Sequence, residues 1–227
     1  MIIKISNLLS PKQVSDIREN LDKASWVNGN ETAGTQAIGV KHNQQVEATD
    51  PKAQHCGNMI LDALAQHPTF ISAALPLKIF PPMFNRYESD ETYGLHVDNS
   101  IRFVRGTNVR IRTDLSATVF LTDPNDYEGG ELIIEDKSTS HSFKLNAGDM
   151  ILYPSTRLHK VTPVTSGARI SACFWLQSMI RDHEQREILY DLDQSVQSLT
   201  TLHGNDHKDV MSTSAIYHRL IQRWADT

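Results

Sequence analysis

The chain has no apolar run near the ~20 residues a membrane helix needs, so no bilayer-spanning segment is expected. Cysteine is scarce. Two in 227 residues, Cys56 and Cys173, are far apart in sequence on segments that read as helix and strand. They read as small buried hydrophobes, not as a disulfide or a thiolate metal pair. Positive charge is not in surplus either: 22 Lys and Arg against 27 Asp and Glu give a net charge of −5. That balance argues against nucleic acid or an anionic membrane surface as a partner. The opening MIIKISNLLSP holds one lysine and a short apolar stretch but no small-residue cleavage site. No signal peptide is expected from it, and a cytoplasmic, reducing location is the expectation. Internal repeats and low-complexity tracts are lacking too. A chain of this length can bury the core of one domain with an appendage, or of two small ones.

What is present begins with helix signals. Ser10-Pro11-Lys12-Gln13 combines a serine N-cap, proline at the first helical position and glutamine at the capping-box position. Val14, Ile17 and Leu21 follow at helical spacing. Residues 26–50 read as loop with at most one strand, and Asp50-Pro51 opens a second helix that stops before Pro68. From about residue 77 to 177 the apolar pattern shortens to strand length, in segments 82–87, 115–121, 131–134, 149–153 and 168–175. Turn clusters at 123–126, 129–130, 146–149 and 165–167 separate them. Helical periodicity returns from about 179, with Ile188, Leu192, Val196 and Leu199 as one stripe and Ile216, Leu220 and Trp224 as another. The expected fold is mainly β with flanking helices. A double-stranded β-helix, or jelly roll, would occupy 77–178, between a helical and β support region at 1–76 and a helical C-terminal extension at 179–227.

Three residues of this β region stand out: His96, Asp98 and His159. Two imidazoles and a carboxylate are the donor set of a facial metal triad, which leaves the opposite coordination positions open. If residues 94–98 are strand, His96 and Asp98 point to the same side and can chelate one ion. His159 would then have to arrive from a distant strand. An H-x-D pair alone is common by chance and is more often a simple hydrogen-bonded pair, so its surroundings decide the reading.

Those surroundings are Asn85-Arg-Tyr87, Tyr93-Gly-Leu-His96-Val-Asp98-Asn-Ser100, Tyr127-Glu-Gly-Gly-Glu-Leu132, Gly148-Asp-Met-Ile-Leu-Tyr-Pro154, His159-Lys-Val-Thr-Pro163 and Gly167-Ala-Arg169. In this order they resemble the Fe(II)/2-oxoglutarate dioxygenases of the prolyl and lysyl hydroxylase type. Length and helical tail resemble the bacterial PKHD-type hydroxylases, a group often linked to iron uptake. The resemblance implies Fe(2+) on His96, Asp98 and His159, and 2-oxoglutarate with its distal carboxylate on Arg169. It also implies co-substrate contact by Tyr87, whose other reading is a packed core aromatic. L-Ascorbate would serve as reductant, and succinate and carbon dioxide would be released as a substrate is hydroxylated. Independently, a planar and permanently charged guanidinium suits a buried carboxylate.

Two other readings keep the triad: a non-catalytic jelly-roll sensor of metal or organic acid, and a zinc hydrolase. Zinc hydrolysis needs a general base, and no second carboxylate sits beside the triad in sequence. Co-substrate consumption separates all three. Tyr93 is expected to shape the turn presenting His96, and Gly148 and Asp149 to fix a turn without chemistry. The other eight histidines read as structural or surface residues. Arg102, Arg105, Arg110 and Arg112 follow the H-x-D closely. They are either a solvated face or a flap over the metal that attracts an anionic substrate. The substrate itself, peptidyl prolyl or lysyl, amino acid or small molecule, stays open. The spare apolar stripes of 179–227 must cover the jelly roll or a second subunit, which would make a homodimer.

Overall fold

The computed structural model describes residues 1–29, 39–136 and 139–226. The larger sheet is built from β1 (Ile3–Ile5), β2 (Trp26–Asn28), β4 (Gln44–Val46), β5 (Pro76–Ile79), β6 (Met83–Glu88), β10 (Leu115–Phe120), β11 (Tyr127–Gly129), β14 (Met150–Pro154) and β16 (Val164–Ser178). Its main path runs β1-β14-β10-β16-β6-β4-β2, with β5 and β11 pairing the ends of the long β16. The smaller sheet takes β3 (Lys41–His42), β7 (Thr92–His96), β12 (Leu132–Glu135), β13 (Ser140–Phe143) and β15 (His159–Val161), in the order β13-β12-β15-β7-β3. A separate hairpin joins β8 (Ile101–Phe103) to β9 (Arg110–Arg112). All pairings are antiparallel.

Strand alternation explains why the central strands are buried on both faces. On β16, Ala172, Phe174 and Leu176 belong to the core that also holds Leu115, Ala117 and Val119 of β10 and Met150 and Leu152 of β14. Helices α1 (Pro11–Asp22), α2 (Pro51–Gln66) and α3 (Pro68–Ala74) close this side with Ile17, Leu21, Ile60, Leu64 and Phe70. The intervening residues turn toward the smaller sheet. There Tyr87, Phe120, Ile151 and Tyr153 meet Leu132, Ile134 and Val161. The result is the jelly roll expected from sequence, helices on one face and a lined interior on the other. β10 reads Leu-Ser-Ala-Thr-Val-Phe because apolar residues face the helices while small polar ones face the interior.

The Ser10 capping box forms as read, with Ser10 Oγ accepting from the Gln13 N–H at 3.3 Å and Gln13 Oε1 from the Ser10 N–H at 2.9 Å. Pro68 does more than end α2; it begins α3 at its first turn. Residues 26–50 supply β2, β3 and β4 where one strand at most was expected, and 30–38 of that span lie outside the described residues. The 165–167 cluster is no turn. The chain reverses at Thr162-Pro163, and Gly167 already lies in β16. Glycine is required there, since its φ is +70° and a Cβ would stand 2.1 Å from the Asp126 carbonyl oxygen. Asp149 accepts from the Asn7 N–H at 2.9 Å and pairs with Lys4 at 3.4 Å, which ties β1 to the core.

Helices α4 (His183–His203) and α5 (Lys208–Trp224) pack as a pair. Their inner side uses Leu189, Tyr217, Leu220, Ile221 and Trp224 around Leu75 and Ile180. Ile188 and Ile216, the first members of the two apolar stripes, are exposed, while Leu192, Val196, Leu199, Leu220 and Trp224 are half-buried. No helix among the described residues is long and apolar enough to cross a membrane.

Candidate metal centre

β15 and β7 are neighbours in the smaller sheet, and their register sets His159 directly opposite His96. The strand ends at His96, so Asp98 sits two residues past it and not on an extended continuation. It still reaches the same point. One ligand atom each from His96, Asp98 and His159 lies within 4.8 Å of the others, with His159 Nε2 3.6 Å from Asp98 Oδ2.

Both rings are fixed in the same way. His96 Nδ1 lies 2.7 Å from the Gly94 carbonyl oxygen, and His159 Nδ1 lies 2.9 Å from that of Arg157. A carbonyl can only accept, so each ring donates from Nδ1 and keeps the Nε2 lone pair for a metal. Tyr93 stacks on His96 at a centroid distance of 3.5 Å, and Tyr153 meets His159 edge-on at 5.2 Å. Burial, with His159 next to it, holds the His96 imidazole at a pKa of about 4, so it stays neutral at physiological pH. Ser116 Oγ donates to Asp98 Oδ2 at 2.6 Å and lies 2.7 Å from Ser155 Oγ. This serine was missed in the sequence. Only the register of β10 against β14 and β16 reveals it.

The three donors open into a cavity of about 780 Å³, its mouth included, between the two sheets. Arg169 and Tyr87 line it and face each other as a register pair of β16 and β6. Arg169 is 1% exposed. Its Nη1 donates to Ser171 Oγ at 2.8 Å, while the buried Nε has no partner. The guanidinium carbon lies 5.4 Å from the Tyr87 ring centroid and 5.2 Å from that of Phe120. Gly130, at φ +68°, makes room for it, since a Cβ there would stand 3.0 Å from Arg169 Cδ. All five residues singled out by sequence thus share one cavity. The other histidines take no place in its wall.

Cys173, read as a buried hydrophobe, also lines the cavity, its Sγ accepting from Asn85 Nδ2 at 2.9 Å. Lys41, from the segment read as loop, faces it too and lies 5.6 Å from the Tyr93 centroid. Burial lowers the Lys41 pKa from 10.5 to about 8. Between those values the unfolded chain binds the proton that the folded chain has released, so folding stability rises with pH across that window. The burial penalty is complete below pH 8. Wild type should therefore gain stability relative to Lys41→Met as pH rises from 8 toward 10, in paired urea unfolding curves. Parallel curves for the two proteins would show that Lys41 is charged in the fold at no cost.

Residues 82–177 match the 2OG-Fe(II) oxygenase superfamily, and residues 183–226 match the PKHD-type hydroxylase C-terminal domain. A PKHD-type hydroxylase of Acinetobacter baumannii (strain AYE) is 54% identical over 226 residues, with all of both chains covered. One from Burkholderia lata is 51% identical over the same span, again with all of both chains covered. Among solved structures, a Pseudomonas putida prolyl-4-hydroxylase superposes with a TM-score of 0.51 at 18% identity, covering 78% of this chain and 92% of that one. A Trichoplax adhaerens prolyl hydroxylase, solved with a peptide fragment of a hypoxia inducible factor, gives 0.57 at 12%, covering 83% and 86%. At those identities the structures speak for the jelly roll alone. The full-length relatives carry more: this chain belongs to the PKHD-type hydroxylases, Fe(II)- and 2-oxoglutarate-dependent dioxygenases of the 2OG-Fe(II) oxygenase superfamily.

Proposed function

We propose that His96, Asp98 and His159 hold the iron and that Arg169, flanked by Tyr87, receives the distal carboxylate of 2-oxoglutarate. The observation that carries this is one cavity with a donor triad on its wall and a buried, incompletely bonded guanidinium facing the same space. The residues fit the groups. Two imidazoles and one carboxylate suit a divalent iron with positions left open. A guanidinium whose Nε lacks a partner suits a carboxylate.

Bound there, iron and 2-oxoglutarate supply the oxidative chemistry that hydroxylates a C–H bond and yields succinate and carbon dioxide. The chain's own part is positional. The Gly94 and Arg157 carbonyls aim the two Nε2 lone pairs, and Ser116 turns one carboxylate oxygen of Asp98. Tyr93 stacks on His96 and Tyr153 meets His159 edge-on, which fixes the two rings where they line the cavity. Arg169 sets the direction in which the co-substrate enters. L-Ascorbate as reductant, and a peptidyl or small-molecule substrate, are supported by the family likeness. The exposed Ile188, Leu202 and Met211 support a homodimer through α4 and α5, which sedimentation equilibrium tests.

Anaerobic titration of the apoprotein with Fe(II) and then 2-oxoglutarate tests the site. A visible charge-transfer band should appear with the second addition and vanish in His159→Ala. Iron binding without the band would favour an organic-acid or metal sensor, and unaltered binding in His159→Ala would refute the triad.

A further inference from the structure

Four arginines follow the metal-binding segment, and the register of the β8–β9 hairpin sorts them. Arg102 pairs with Ile111 on its inner face, where Ile111 is buried and Arg102 lines the cavity. Arg110 and Arg112 pair with Phe103 and Ile101, which are exposed on the other face. Arg112 closes on Asp114 at 2.7 Å, and Arg105 lies in the connecting turn. So the four do not form one flap, and only Arg102 reaches the interior.

Arg102 is held firmly there. Its guanidinium carbon lies 3.4 Å from the centroid of Trp175 and 5.3 Å from that of Phe80. It forms no ion pair among the described residues, and its buried Nε has no hydrogen-bond partner. Trp175 and Arg169 both face the interior from β16 but are six residues apart, roughly 20 Å along a strand. The Trp175 end is the end of the triad, because Ser116, which holds Asp98, is the register partner of Trp175. Arg102 therefore cannot share the carboxylate clamp of Arg169.

Charge points the same way. With Fe(II) and the 2-oxoglutarate dianion in place, the ion, the dianion, Asp98 and Arg169 cancel. Arg102 then adds a positive charge to the wall, and Lys41, lining the same cavity, has the same sign when protonated. Val97 and Met83 supply apolar wall nearby. We propose that Arg102 binds a carboxylate carried on an apolar chain of the substrate, and so selects acids over the matching amides. This rests on the site reading above and adds to it the chemical class of the substrate.

The test is calorimetric titration of the anaerobic protein, saturated with Fe(II) and 2-oxoglutarate, with hexanoate and with hexanamide. Wild type should bind the acid about 10- to 100-fold more tightly, the worth of a charge-assisted guanidinium contact. Arg102→Gln should lose that preference while keeping its hexanamide and 2-oxoglutarate affinities. Arg102→Lys should retain part of it. Equal binding of acid and amide by wild type overturns the proposal, as does a preference that survives Arg102→Gln. A fall in 2-oxoglutarate affinity in Arg102→Gln would also overturn it, by placing Arg102 in the co-substrate clamp. The same pair of ligands is titrated into Arg169→Met without 2-oxoglutarate. That arm decides the role of Arg102 even if wild type fails to bind 2-oxoglutarate, which would count against the site reading instead.

Discussion

Asp98→Ala should lower Fe(II) affinity by more than ~100-fold and reduce succinate release to background, exceeding the loss known for groups that only support a ligand. Asp98 is the sole carboxylate in the described cavity wall, so the variant would leave only the two imidazoles to hold a divalent ion. Neither charge neutralisation nor a third donor remains. The apoprotein should scarcely notice. The Asp98 side chain is 7% exposed and forms no direct ion pair with a lysine or arginine among the described residues, and burying such a carboxylate is itself unfavourable. Its one hydrogen-bond donor, Ser116, keeps Ser155 as a partner. The melting temperature without metal is therefore expected within a few degrees of wild type, roughly the shift of 1 kcal/mol. Asp98→Asn should lose iron almost as fully, since it keeps shape but not charge. Wild-type iron affinity in either variant would show that Asp98 is not a ligand.

Arg169→Met should weaken 2-oxoglutarate binding by at least ~100-fold, because the proposed clamp would lose its charge-assisted guanidinium contact with the carboxylate. Fe(II) binding should persist, since the guanidinium is not a donor. The stability change separates function from packing. Arg169 is among the largest fully buried side chains, and an ordinary core residue of that size would cost several kcal/mol on truncation. Methionine fills much of the same volume, and it removes a buried cation whose Nε has no partner. The apoprotein should therefore be as stable as wild type, or more stable by about 1 kcal/mol. Calorimetry reads the first effect and urea unfolding the second. Unchanged 2-oxoglutarate affinity would remove Arg169 from the co-substrate site. A large loss of stability would make it a structural arginine.

The sequence was enough to single out His96, Asp98, His159, Arg169 and Tyr87, and the structure sets all five around one cavity. They were legible because metal and carboxylate chemistry restricts the residue types, and because the order of motifs along a chain survives without any knowledge of packing. The strands around residues 115–121 and 149–153 were legible for a local reason, short apolar runs between turn residues. What lay beyond local pattern was every relation set by register. Ser116 gives no sign of its role until β10 is laid between β14 and β16. Lys41 comes to the cavity from a segment that reads as loop, because β3 adds to β7 at the sheet edge. Four arginines look equivalent in sequence, yet strand alternation sends Arg102 inward and Arg110 and Arg112 outward. On α4, Leu189 packs against Leu75 and Ile180 while its neighbour Ile188 is exposed. Composition and motif order determined which chemistry this chain can perform. Tertiary structure decided which side chains share the cavity, because side-chain direction depends on long-range pairing, and a shift of one residue reverses it.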